Sequence, residues 1–158
     1  MVSGDDLRGL MRYWPHGVAV LTVRHDGARM GITVSSLVSL SLEPPLVGVA
    51  LGVHSAAVEL VRGAGGFVLS LLAAGQDAVA QHFARGVPPI AHWHGIETRD
   101  GAAGGAPLVE GALGWLECRV VAEHEVGDHV LFVGEAVSVE RGTPGPALVY
   151  REGTYASS

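Results

Sequence analysis

A run of hydroxyl side chains between Gly31 and Pro45 offers the clearest chemistry in this sequence. Thr33, Ser35, Ser36, Ser39 and Ser41 place five hydroxyls within nine positions, ahead of Glu43-Pro44-Pro45. Hydroxyls and freed backbone N–H groups at a strand end can hold a phosphate, a polyol, or the carbonyl and nitrogen edge of a heterocycle. The same composition also describes a Ser/Thr loop that satisfies its own backbone, and residue types alone leave both readings open. His129, behind Gly127-Asp128, is the second candidate. Its imidazole titrates near neutrality and can orient a ligand or pass a proton. It reads equally as an ordinary hairpin residue.

Other constellations carry less. His92-Trp93-His94 sets two histidines on one strand face, with His82 as a conceivable companion, yet no carboxylate or third ligand has metal-site spacing. No metal is expected. Gly63-Ala64-Gly65-Gly66 superficially resembles a dinucleotide loop, but it follows a helix and precedes a strand, the reverse of the order that fingerprint needs. There is no G-x-S-x-G elbow. Cys118, the single cysteine, shares a strand face with Leu116 and Val120 and reads as inert core.

Composition narrows the class. At 158 residues the chain fits one domain, residues 1–158, with a substantial core. A net charge of -6 argues against nucleic acid, which calls for a basic stripe. Hydrophobic residues make up 48%, charged residues only 16%, and mean hydropathy is +0.34. That excess points to a homodimer, whose interface resembles a core cut in half. No apolar run reaches the ~20 residues of a membrane span, and Asp5, Asp6 and Arg8 interrupt any leader-like stretch. With one cysteine and no disulfide framework, a cytoplasmic protein is expected.

The elements that position these residues read mainly as strands. Asp5 or Asp6 caps a helix to about Tyr13, with Leu7, Leu10 and Met11 on one face. Val18–Val23 and Arg29–Ser35 form a hairpin about His25-Asp26-Gly27. Residues 36–45 read as an irregular connection, and Leu46–Leu51 as a further strand. Ser55 caps a helix that Gly63 ends. Phe67–Leu72 reads as a strand covered on both sides, and Gln76–Phe83 as a helix. Residues 84–107 read as a long irregular excursion of functional or interfacial character. Leu113–Ala122 and His129–Val139 pair as a long hairpin. So many strands in one domain predict closure into an all-β barrel with a few short helices.

Gly31-Ile32-Thr33-Val34-Ser35-Ser36-Leu37-Val38-Ser39-Leu40-Ser41-Leu42-Glu43-Pro44-Pro45 closely resembles the pattern G-x-T-x-S-S-x-x-S-x-S-x-x-P-P-L of the flavin reductase-like family. The resemblance extends in order through Gly17–Thr22, Ser55, Gly66–Leu72, Gln76 to Phe83-Ala84, Gly111–Cys118, Gly127-Asp128-His129, Leu148-Val149-Tyr150 and Gly153-Thr154-Tyr155. It implies a Greek-key split β-barrel, the FMN-binding kind. It also implies an NAD(P)H:flavin oxidoreductase that passes hydride from NADH or NADPH to FMN or FAD. The reduced flavin would then supply a partner monooxygenase.

Residue by residue, the resemblance implies that Thr33, Val34, Ser35 and Ser36 lie along the isoalloxazine edge, with Ser39, Leu40 and Ser41 continuing toward the ribityl chain. Ser55 would start a helix near the flavin phosphate, where N-terminal N–H groups favour anions. Phe83 and Ala84 match a segment at that same end. His129 lies where the nicotinamide docks, with alignment of the two rings as its main task. The chain departs from the pattern at Ala57, where a second phosphate-binding hydroxyl is usual, at Leu37, where an aromatic is usual, and at Gly52-Val53-His54, which lack the common basic or amide residue. Two rivals are a barrel that retains its flavin and acts on a small organic substrate within residues 84–107, and a non-catalytic flavin binder.

Overall fold

A computed structural model describes residues 1–103 and 105–158. Helix α1 (Gly4–Met11) leads into β1 (His16–Gly17), β2 (Ala19–His25), β3 (Ala28–Val34), β4 (Val38–Leu42) and β5 (Pro45–Gly52). Helix α2 (Ala56–Ala64), β6 (Gly66–Leu71) and α3 (Asp77–Ala84) follow. A short 3-10 turn, Pro89–Ala91, precedes β7 (Thr98–Asp100) and β8 (Pro107–Val109). The chain ends in β9 (Gly114–Val126), β10 (His129–Arg141), β11 (Leu148–Arg151) and β12 (Thr154–Ser157).

Seven strands form the main sheet in the order β3-β2-β6-β9-β10-β5-β4, and β1-β11-β12 make a smaller one. The β2–β3 hairpin turns on Asp26 (φ 49) and Gly27 (φ 78), the left-handed pair that a two-residue turn with the right twist requires. The hairpin of β9 and β10 is bent by register shifts at Val133/Gly134 and Ala136/Ser138, which increase local twist and let the sheet curl. Gly134 permits the close approach: a Cβ there would lie 2.7 Å from the Phe67 ring and 2.9 Å from Cys118 Cβ. Inward residues of β2, β3, β5, β6, β9 and β10 therefore meet in one cluster around Leu21, Val49, Phe67, Leu69 and Phe132, with Ala57, Val58 and Val61 of α2. The sheet is strongly curved, and no ladder joins its edge strands β3 and β4 among the described residues.

The other face of β2 is covered as well. Val18 and Val20 pack with Leu72, Ala80, Phe83, Val109 and Leu148. This second cluster draws α3 and β11 over the end of β3. Helix α3 is held there by two contacts: the Thr33 hydroxyl donates to the Ala80 carbonyl at 2.6 Å, and the Phe83 ring lies where a Cβ on Gly31 would be, 2.7 Å away.

Several expectations are corrected. Ser3, not Asp5 or Asp6, caps α1, and Asp6 completes a reciprocal capping box with it. The helix stops at Met11. Residues 38–42 form an edge strand, because Val38, Leu40 and Leu42 alternate with Ser39 and Ser41 and the two prolines lie at the turn and at the start of β5. Helix α2 continues past Gly63 and ends at Gly65, whose φ of 69 makes it the left-handed cap. The 84–107 segment contains β7 and the start of β8, and its residue 104 lies outside the described residues.

That segment is fastened to the exposed edge of β3. Gly31 N–H donates to His92 Nε2 at 2.9 Å, His82 Nε2 meets the His92 carbonyl at 2.7 Å, and the Trp93 indole N–H reaches the Arg29 carbonyl. Burial, with a smaller push from His82, holds His92 below its ordinary pKa. The neutral ring is the one that can accept from Gly31. Unfolding therefore takes up a proton as pH falls below the ordinary value of 6.5, and stability drains away toward the lower folded value. Between about pH 7.5 and about pH 5 the wild type should lose more thermal stability than His92→Gln, which can accept the same bond without titrating. Parallel losses in the two proteins would remove His92 as the cause.

Candidate active site

The end of β3 opens into a cleft. Val18, Thr33, Ser35, Ala84, Tyr150 and Tyr155 line a cavity of about 160 Å³. Ser35 and Tyr150 also line a larger cavity of about 460 Å³ running toward α1, so the two adjoin at these residues. Strand alternation gives the smaller cavity its polar edge. Because Gly31 N–H points away from β2 to His92, the Gly31–Thr22 pair is not hydrogen-bonded. The Thr33–Val20 pair two residues on is likewise not hydrogen-bonded. The Thr33 N–H and C=O thus face outward beside one another. The Ser35 hydroxyl has no partner among the described residues, whereas that of Thr33 already donates to Ala80.

Such a site fits a flat heterocycle with alternating donors and acceptors. A strand edge supplies one N–H and one C=O, a free hydroxyl extends the row, and Val18, Ala84 and two tyrosines supply apolar walls. The Tyr150 and Tyr155 rings stand 5.2 Å apart. Burial raises the Tyr155 hydroxyl above its ordinary pKa, with smaller contributions from Tyr150 and Asp77, so the phenol stays neutral. A flavin ring system matches this donor set. Both tyrosines flank the Glu152-Gly153 turn of β11 and β12. Two aromatics either side of a Glu-Gly turn are visible in the sequence, but nothing local says that this hairpin returns to β3.

The remaining candidates divide. Val34 points into the core and is 6% exposed, so only its backbone could touch a ligand. Ser36 Oγ donates to the Ala50 carbonyl at 2.8 Å and accepts the Ala50 N–H at 3.1 Å, clipping the chain after β3 onto β5. Ser39, Leu40 and Ser41 lie on edge strand β4, outside the cleft. Ser55 caps α2 by accepting the Ala57 N–H at 3.2 Å. Phe83 is core, 3% exposed, while its neighbour Ala84 lines the cleft. Trp93 does not line the cleft: it packs against Phe83 at 5.3 Å and under the Arg29 guanidinium.

His129 pairs with Gly52 at the end of β5, on the edge of that strand opposite the one Ser36 clips. It shares the outward face of β10 with Leu131 and Val133. Its Nδ1 lies 2.7 Å from Asp128 Oδ1. That hydrogen bond, then the charge of His129, holds Asp128 below the usual carboxylate range, with a further small pull from Arg8. The pairing orients the ring and leaves Nε2 for a ligand. Arg8 lines the larger cavity, so the α1 wall of that cavity lies within electrostatic reach of the Asp128 carboxylate. His129 itself lines neither cavity. Cys118 is buried, and its thiol is pushed up to about 12 by burial, then by Glu117, which leaves it unreactive.

Comparison with known proteins gives the chain its relatives. The chain is 41% identical over 139 residues to the reductase component of 4-hydroxyphenylacetate 3-monooxygenase from Thermus thermophilus, covering 88% of this chain and 86% of that one. It is 37% identical to an NADH-dependent FMN reductase of Streptomyces nodosus subsp. asukaensis, covering 95% and 82%. The NADH:FAD oxidoreductase of Streptomyces globisporus C-1027 superposes with a TM-score of 0.91 at 32% identity, over 99% of this chain and 95% of that one. The flavin reductase like domain model matches residues 11–158, and the chain belongs to that family.

Proposed function

We propose that this protein is an NADH-dependent flavin reductase that releases reduced FMN or FAD to a partner monooxygenase. The carrying observation is the cleft at the end of β3, where the outward Thr33 backbone and the free Ser35 hydroxyl face two tyrosines. Its relatives support both the donor and the use: they include NADH-dependent reductases of FMN and FAD and the reductase component of a monooxygenase. When bound, the flavin supplies the redox chemistry, accepting hydride from C4 of the nicotinamide at N5. The protein's part is alignment and shelter. The Thr33 backbone and Ser35 fix the ring edge, Tyr150 and Tyr155 exclude water from one end, and His129, held by Asp128, orients the nicotinamide. Ser55 at the N-terminus of α2 offers a phosphate site for the flavin. Within the segment 84–107, His92 and Trp93 brace β3, and Trp93 stays outside the ring cleft.

We read the chain as a single-domain Greek-key split barrel. The curled sheet with one shared core supports this, and the barrel would be completed across its open seam. We also propose a homodimer. Gly48 and Ala50 make a shallow floor between Val38, Leu40, Leu131 and Val133 on the outer sheet face, and a Cβ on Gly48 would lie 3.0 Å from Leu40. Val38 and Leu40 are 45% and 47% exposed, and α1 leaves Leu7, Leu10 and Met11 uncovered. His129 sits on the same outer face, so a second copy docked there would close the nicotinamide end of the site. No helix among the described residues is long and apolar enough to cross a membrane, and cytoplasmic residence fits the reducing chemistry.

Purified protein should oxidise NADH only when free FMN or FAD is added, at a rate that saturates with flavin. Turnover that ignores added flavin would contradict a diffusible product. His129→Ala should lower the rate about tenfold or more while flavin affinity changes little, the signature of lost alignment in the transition state. Lost flavin affinity at unchanged turnover would move His129 out of the nicotinamide site.

A further inference from the structure

Three of the ten basic residues, all of them arginine, converge on the larger cavity, in a chain whose net charge is -6. Arg8 lies on α1 and Arg12 caps its C-terminus one turn on, and Arg151 lines the same cavity from the end of β11. Backbone bonds set the walls: Glu152 N–H donates to the Arg12 carbonyl at 2.8 Å, and Arg151 Nε donates to the Tyr13 carbonyl at 3.1 Å. Glu152 is the single carboxylate in the lining and pairs with Arg151 at 2.7 Å. Among the described residues Arg8 pairs only with Asp5, and both are largely exposed, so that bond exchanges readily with water or a ligand. Arg12 has no carboxylate partner among the described residues, its guanidinium meeting only the Glu152 carbonyl at 3.4 Å.

The cavity has the parts a dinucleotide needs. Guanidinium forks match phosphate oxygens and remain charged at any working pH. Trp14, 63% exposed, and Tyr150 give flat surfaces for a base. Ser35 and Tyr150 line both this cavity and the ring cleft, and Arg8 lies within electrostatic reach of Asp128. Ser55, the site offered for the flavin's phosphate, is not part of it. We infer that the Arg8, Arg12 and Arg151 cavity binds the pyrophosphate of a dinucleotide, and that this dinucleotide is the hydride donor. The inference rests on the flavin reductase reading only for the donor's identity.

The probe is ADP-ribose, titrated calorimetrically into the full-length protein without flavin or NADH. Wild type should bind it, and Arg8→Gln combined with Arg12→Gln should weaken binding about tenfold or more, as expected when charge-assisted bonds to phosphate are lost. Arg8→Gln alone, whose side chain pairs with Asp5 at the surface, carries the same test if the double variant fails to fold. Absence of binding by wild type, or equal affinity in the variants, overturns the inference even if NADH-driven flavin reduction is intact. Absence of flavin reduction would defeat the functional reading and leave the ADP-ribose result standing by itself. Kinetics then separate the two sources of pyrophosphate. A raised KM for NADH with FMN as acceptor supports the hydride donor. A raised KM for FAD, with those for FMN and NADH unchanged, assigns the cavity to the flavin dinucleotide and overturns that assignment.

Discussion

Strand β2 presents apolar side chains to both of its faces, and the rest of the molecule is arranged to cover them. Ala19, Leu21 and Val23 face the inside of the curled sheet beneath α2, while Val20 and the preceding Val18 face α3, β8 and β11. Leaving either face wet would forgo roughly 1.5–3 kcal/mol for each large side chain. The second face is the one that shapes the proposed site. Covering Val18 and Val20 brings Ala84 and Tyr155 beside Thr33 and Ser35, so the cleft is a consequence of how β2 is buried.

The edge of β3 illustrates how an exposed strand edge can be divided between structure and function. An unpaired edge carries free N–H and C=O groups that must be blunted or used. Gly31 is closed off by His92, and Phe83 lies against it where a side chain would otherwise sit. Two residues on, Thr33 keeps its backbone groups open while its hydroxyl tethers α3. At Ser36 the chain has crossed to β5 and its hydroxyl is fully engaged. One short stretch therefore contains a brace, an open backbone edge and a clip. The sequence records all three as a run of small polar residues.

Local chemistry made much of the fold legible. The Asp26-Gly27 turn, the Ser55 cap, the doubly covered β6 and the long β9–β10 hairpin all follow from residues within a few positions of one another. The errors came from local ambiguity of the same kind. Ser3 competed with two aspartates as a cap, Gly63 with Gly65 as a helix end, and the serines of β4 concealed a period-two pattern. The site was less legible because it is assembled from distant parts. Arg12 and Glu152 are 140 residues apart in sequence, and no spacing rule relates α1 to the β11–β12 turn. Resemblance to a family pattern pointed to Thr33 through Ser36 and to His129. It could not separate the hydroxyl that is free, Ser35, from those already committed to the fold.

The account depends most on where the flavin ring lies, and a crystal structure of the protein soaked with FMN tests that directly. The ring should occupy the cleft between Tyr150, Tyr155 and Ala84, with its polar edge on the Thr33 backbone and Ser35 and His129 beside its open face. Density for the ring in the apolar recess formed by Leu37, Leu71 and Leu113, or anywhere away from Thr33, would contradict the account.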